Sequence, residues 1–580
     1  MGARKTPISR QFHMGMYTGI DLVICVGYFV LVVAIAVLSS RRQHRSFQGY
    51  FRADNRLPWY VIGFSIVAAG VSSEQFVGEV GYAYKLGLPV ANWEWLVWPG
   101  LSLLLWVFVP LYVRNNIATM PEYLERRFGR RSRRLYACLT IGSYVLVNFA
   151  LVFYTGGFAL EKMWGVNRLA AVWILAFVAG AYTVYGGLAA VAWTSSLQCV
   201  LLLGGGIYVF FAGLAKIHWD LAAVLGTGER ARLFTPASHE VPWTALVVLM
   251  LSTNVWYYAN NQHINQRCLA ARNEWHAKMG VLFSAVLQLL VPLATCFPGM
   301  IYRVINPHLD NPDVAYPGVV ASVVPQGWRG LVVAAIVSGI MSTVSGLVNS
   351  TSTMVTIDLV QPTGGRRWSE ARLVSVGRWS GALALLIGAL LAPVVMRWEN
   401  IFRYAQDILA PMASPVVVVF LAGALWKPAS ETGALVCLWL SLLSAPFILL
   451  KAILADHDIH FLPANLENPM VFAGAYGLIS LVLMIALSRC RSRLGLIGAG
   501  LAIGLIFWMA AASPPAMALT LLAATMVSLP PLLVARRAPD ANLWDRSMLQ
   551  TSQPPRWYAS LWLWWAVLAA ILVGIYVRFW

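Results

Sequence analysis

The sequence predicts an all-α membrane protein, and three observations carry that expectation. Of 580 residues, 59% are hydrophobic and only 11% are charged, where a soluble domain has about 25% charged residues. Apolar stretches long enough to cross ~30 Å of hydrocarbon as helices recur from Tyr17 to the last residues. No gap between them would hold a soluble domain, and these continuous runs differ from the weak alternation of membrane strands.

The first apolar segment, 17–39, is long enough to span and is followed by a basic loop, so it reads as a helix and not as a signal peptide. Further segments lie near 58–82, 87–112, 136–160, 167–186, 188–216, 241–260 and 279–304. The remainder fall near 329–358, 372–396, 400–425, 431–453, 469–488, 493–512, 515–535 and 558–579, about sixteen in all. Ser513-Pro514-Pro515 separates the penultimate pair, which forms either two spans or a re-entrant hairpin.

Loop charge gives an orientation. Arg41, Arg42, Arg45, Arg52 and Arg56 follow the first segment, and Arg126, Arg127, Arg130, Arg131, Arg133 and Arg134 follow the third. Arg366, Arg367 and Arg372 follow the ninth, and Arg536 and Arg537 the fifteenth, whereas 454–468 has no Lys or Arg. Loops after odd-numbered segments are therefore expected on the cytoplasmic side, which places both termini outside a cell membrane. The net charge of +18 sits in these short loops, so it reflects orientation and not nucleic-acid binding.

Other chemistries fall away on their residues. The seven cysteines form no CxxC pair, which argues against a disulfide framework or a zinc site. Asp456-His457-Asp458-Ile459-His460 offers metal-binding types but reads as a solvated outer loop, and Gly226-Thr227-Gly228-Glu229 lacks the Lys-Ser/Thr of a phosphate loop. The run Trp219–Leu233 is expected to lie amphipathically along the outer membrane surface. A membrane enzyme would need an acid/base pair near an interface, and a sensor would need a soluble signalling domain; neither pattern is found.

Two segments interrupt their own hydrophobicity. The second reads Gly70-Val71-Ser72-Ser73-Glu74-Gln75 at its middle, and the seventh reads Ser252-Thr253-Asn254 followed by Trp256-Tyr257-Tyr258. Polar groups at bilayer depth are costly unless they line a cavity or meet partners. Broken helices five segments apart suit an inverted-repeat transporter, although polar helix packing produces similar residues. In the ninth segment, positions 339, 342, 343 and 346 share a helical face. That stripe serves close packing, or its adjacent hydroxyls face an unwound helix and join freed carbonyls in holding a sodium ion.

Several stretches identify a family resemblance. They are SFQGYFRADNRLPWYVIGFSIVAAGVSSEQFVGEVGYAY (46–84), NWEW (92–95), TMPEYLERRFG (119–129), YGGLAAVAWTSSLQ (185–198), NNQHINQRCLAARNEWHAKMG (260–280) and GIMSTVSGLVNSTSTMVTIDL (339–359). They resemble, in order from about residue 20 to 490, the sodium/solute symporter family and its sodium/glucose and sodium/galactose branch; a set of ordered motifs is far more specific than one short pattern. The resemblance implies a LeuT-like 5+5 inverted-repeat core with extra leading and trailing helices. The divisions expected are 1–57 (leading helix and basic loop), 58–216 and 217–425 (the two repeats) and 426–580 (accessory helices).

The resemblance also implies sites. Na+, the coupling ion, would bind the backbone oxygens of Ala68, Val71 and Gly339 and the hydroxyls of Ser342 and Thr343. The solute would bind Gln75, Glu94, Asn254 and Gln406, with Tyr257 as an inner gate and Tyr258 beside it. Amides and a carboxylate match sugar hydroxyls, which donate and accept, and aromatic faces cover sugar C–H surface. The chain departs from the sugar pattern at Gly70, where Asn is frequent, at Val97, a polar contact position, and at Ser195, an aspartate in relatives. Glu79, Lys85 and Asp407 are added charges of a kind that recognises a charged group, and for Glu79 and Lys85 a vestibule or structural role is expected. The implied function is sodium-coupled symport of a sugar or polyol, with no organic cofactor, and the alternative solute is an anionic or zwitterionic metabolite such as a sugar acid or amino acid.

Overall fold

The computed structural model describes residues 19–41, 46–364, 367–395, 401–455, 463, 466, 468–489, 501, 503–506, 508–509, 542–551 and 556–580, with the backbone alone over 401–407. The expected segments 493–512 and 515–535, the loop 456–460 and the side chains of Gln406 and Asp407 lie wholly or mostly outside these residues. The described chain is helical with one isolated β-bridge, between Leu57 and Ala271.

The chain begins with α1 (Gly19–Ser40), whose outer face is exposed and whose Asp21 carboxylate accepts the Gly327 and Gly330 amides. The second segment is broken: α2 (Trp59–Gly70) and α3 (Gln75–Leu86) meet at a 59° bend. Next come α4 (Leu88–Arg114) and α5 (Arg130–Trp164). The expected fifth and sixth segments form one long element, α6 (Arg168–Lys216), which starts where the Asn167 side chain caps the Leu169 and Ala170 amides. The boundary survives as a kink at Gly187, whose φ of 64° and ψ of −159° suit only a residue without Cβ.

The seventh segment is not one α-helix. It runs through α7 (Trp243–Val248) into π-helical turns at Leu249–Thr253 and Trp256–Asn260, the distortion that functional sites often carry. There follow α8 (Gln262–Leu269), α9 (Glu274–Ile305), α10 (Ala315–Val323), α11 (Arg329–Thr363) and α12 (Glu370–Val395). The series closes with α13 (Ile401–Leu425), α14 (Glu431–Ala455), α15 (Pro469–Arg489) and α16 (Leu561–Arg578). Among the described residues, 11 helices are long and apolar enough to cross a membrane, or up to 12 if the bent pair counts as one span. The run Trp219–Leu233 is not one amphipathic helix: Gly226 (φ 69°) and Gly228 (φ 66°) divide it into Leu221–Leu225 and Gly228–Ala231.

Helix α11 is the axis of the packing, and its membrane-length span, Arg329–Thr363, is 94% buried over its most apolar stretch. It packs chiefly on α6, with α1 on its outer side. A Cβ at Gly206 of α6 would lie 2.3 Å from Ala294 Cβ of α9, so glycine sets the distance at which these helices meet. Such small-residue contacts replace the hydrophobic drive that lipid removes.

Candidate functional site

The break between α2 and α3 frees backbone groups that the rest of the site is built on. Val71 leaves the helix at φ −106° and ψ 115°. Gln75 clamps the gap: its Oε1 accepts the Ser72 amide at 2.7 Å and its Nε2 donates to the Gly70 carbonyl at 3.0 Å. A buried helix end needs such partners.

Opposite the break stands α11. A Cβ on Gly339 would sit 3.2 Å from the Val71 carbonyl oxygen and 2.8 Å from Leu202 Cδ1, so glycine permits the close approach. One turn on, Thr343 Oγ1 donates to the Ala69 carbonyl at 3.3 Å, and Ser342 Oγ donates to Ser195 Oγ at 2.8 Å. Ala68, Val71, Gly339, Ser342 and Thr343 are all buried. A hydroxyl can donate one hydrogen bond and still offer lone pairs, so this neutral oxygen set fits a hard monovalent cation. Among the described residues no group of His, Cys, Asp and Glu could hold another metal. Ser338 and Ser345 donate back to their own helix, at Ala334 and Ser342, whereas the candidate pair donates to Ser195 and to the Ala69 carbonyl.

Beside the break lies a cavity of about 90 Å³, and Gln75, Glu94, Asn254, Tyr257 and Tyr258 all line it. The structure thus brings together every expected solute residue whose side chain it describes. Their roles differ in detail. The polar atoms of Gln75 are engaged in the clamp. Glu94 accepts a hydrogen bond from Gln288 of α9. Asn254 is 6% exposed and its Nδ2 has no partner. The Tyr257 hydroxyl reaches the Ala69 carbonyl at 3.5 Å, so one carbonyl serves both Tyr257 and Thr343.

Sequence reasoning passed over Glu74, Trp93 and Trp256, which also line the cavity. Glu74 adjoins Gln75 in the broken segment, and that adjacency was the available signal. The added charges separate: Lys85 pairs with Glu240 at 2.8 Å on the surface, whereas Glu79 is wholly buried and accepts from Cys296 Sγ of α9 at 2.8 Å.

The sequence model of the sodium:solute symporter family matches residues 50–441 of this chain. The chain belongs to that family. Among its relatives, the sodium/glucose cotransporter of Vibrio parahaemolyticus is 31% identical over 457 residues, covering 72% of this chain and 82% of its own. Human sodium/myo-inositol cotransporter 2 is 32% identical over 472 residues, 74% of this chain and 69% of its own. A solved Na+-coupled sialic acid symporter, in a substrate-bound outward-open state, superposes over 82% of this chain and 98% of its own at a TM-score of 0.70 and 20% identity. This symporter therefore has the LeuT-like fold, with its broken second segment and the face of α11 in apposition. It is a multi-pass membrane protein.

Proposed function

We propose that the protein couples the sodium gradient to transport of a small polar solute, a sugar or polyol, by alternating access across the cell membrane. Sodium, the co-transported ion, binds at Ala68, Val71, Gly339, Ser342 and Thr343, and the solute binds in the neighbouring cavity with Gln406 as a further contact. The observation that carries this reading is the closeness of Gly339 to the Val71 carbonyl, with the Ser342 and Thr343 hydroxyls beside the same break.

The shared Ala69 carbonyl supplies a physical route for coupling. It accepts from Thr343 in the ion site and from Tyr257 at the cavity. An ion that draws Thr343 oxygen lone pairs and neighbouring carbonyls toward itself fixes the peptide on which Tyr257 rests. Each ligand then favours the conformation the other needs, and that coupling is reciprocal. Asn254 and Glu94 supply complementary partners for solute hydroxyls, and the tyrosine rings cover its apolar face.

A sugar acid fits less well. Glu74 and Glu94 line the cavity, and among the described lining residues there is no Lys or Arg to receive a carboxylate. The test is uptake by purified protein in proteoliposomes under an imposed sodium gradient, with a panel of sugars, polyols and sugar acids. Sodium-driven accumulation of a neutral polyhydroxy solute supports the reading. Accumulation that ignores the sodium gradient rejects it.

A further inference from the structure

The cavity is lined and backed by carboxyl groups, and no Lys or Arg is among its described lining residues. Glu74 and Glu94 line it, and immediately behind it the Glu79 carboxyl lies within hydrogen-bonding reach of that of Glu94. Glu79 is 0% exposed and Glu94 is 5% exposed. The groups facing this pair are Gln288, Thr295 and Cys296 of α9 and Tyr258 from the distorted seventh segment. None is basic, and Glu79 Oε2 has no hydrogen-bond partner. Two carboxylates facing one another away from water cannot both remain ionised without a proton or a cation between or beside them.

A second, independent observation points to a ligand here. Asn254 Nδ2 and Thr253 Oγ1 are unpartnered, belong to residues 6% and 8% exposed, and line the same cavity. Buried polar atoms of this kind are costly unless a bound molecule satisfies them. Trp93, Trp256 and Tyr257 complete the wall with aromatic rings, whose faces attract cations. Carboxyl groups, free polar groups and π faces thus converge on one small volume.

We propose that the transported solute is a polyhydroxy molecule carrying an ammonium group, of the amino-sugar or aminocyclitol class. The inference rests on the symporter reading above and adds the charge of the solute to it. The ammonium N–H groups donate to Glu94 and Glu74, the hydroxyls meet Asn254 and Thr253, and the charge of Glu79 deepens the negative field from behind. A neutral polyol leaves that field uncompensated, so the carboxyl pair must then retain a proton.

The test uses the full chain in proteoliposomes and in detergent, with matched probes: a hexose against its 2-amino-2-deoxy form, and myo-inositol against a monoamino derivative. Binding is measured at about pH 6.5, where such amines are charged. The expected result is about tenfold or tighter binding of the amine in at least one pair, with sodium-driven uptake of the same amine. Glu79→Met is expected to cut that preference at least threefold, and Glu74→Gln gives the same readout if the first variant does not fold. Amine binding no tighter than its neutral partner in every pair overturns the inference. Sodium-driven uptake of the neutral member alone does so too, while leaving the symporter reading standing. Tight amine binding that no sodium gradient drives supports the charge assignment and rejects sodium coupling instead.

Discussion

At the scale of single residues, neighbouring side chains with the same chemistry do different work. Ser338, Ser342 and Ser345 all lie on α11, yet Ser338 and Ser345 donate back to carbonyls of their own helix while Ser342 donates to Ser195 of α6. Thr343 likewise reaches the broken α2 at Ala69. The double change Ser342→Ala with Thr343→Ala is therefore expected to abolish sodium-stimulated uptake while the protein still elutes as a single folded species from detergent. Transport rate against sodium concentration reads this directly, and an unaltered sodium curve would put the ion elsewhere. Ser195 presents a neutral hydroxyl oxygen to Ser342 beside the proposed ion site. A neutral oxygen there attracts a departing cation less than a carboxylate would.

At the scale of elements, the two interrupted segments are distorted in different ways. The second is fully broken and bent by 59°, and the seventh keeps its helical path through π turns. Both solutions free or redirect backbone groups without leaving them in lipid. Farther along α11, the C-terminal end is tied to the short helix Met120–Phe128 and to α5 by one buried carboxylate. Asp358 accepts from Thr119 Oγ1 and from Arg133 Nε, each at 2.8 Å, and Arg133 also donates to the Ile357 carbonyl at 2.9 Å. Arg133 also pairs with Glu125, so Asp358→Ala leaves the Arg133 charge partly compensated but its Nε and Thr119 without their acceptor, and is expected to destabilise the protein by about 1–3 kcal/mol. The double change Arg133→Met with Asp358→Leu should cost less than Asp358→Ala alone. Thermal unfolding in detergent compares them, and a double variant less stable than the single would show that the pair is not the source of the effect.

At the scale of the whole molecule, contacts sort the loops into two sets. On one side Phe47 meets Glu370, Arg114 meets Glu274, and Lys278 meets Thr551. On the other, Lys85 meets Glu240, Tyr84 meets Asn306, and the Leu233 amide donates to the Phe579 carbonyl. The first set contains the arginine-rich loops, so on the positive-inside bias we propose it as the cytoplasmic side. The proposed orientation therefore puts the C-terminal residue outside. In a cysteine-free background, Trp580→Cys is expected to react with an impermeant thiol reagent on intact cells, and Glu370→Cys only after permeabilisation. The reverse pattern would invert the orientation while leaving the fold as it is.

Much of this protein is written locally, because the bilayer imposes a length and a polarity on each segment that neighbours need not supply. Composition and apolar run length alone marked the helices, the Gly70–Gln75 interruption marked the break, and loop arginines grouped the ends that share one side of the molecule. The family resemblance brought the Ser342 and Thr343 hydroxyls and the residues now seen lining the cavity onto one list. Tertiary structure decided what those side chains are free to do. That Gln75 is held by Ser72 and Gly70 while Asn254 remains unpartnered depends on which groups approach across the fold. So does the meeting of Glu79 with Glu94 and Cys296, which lie 15 and 217 positions away in the chain. Run length and polarity are properties of a segment, but the charge and hydrogen bonding of a buried cavity are properties of all the helices that enclose it.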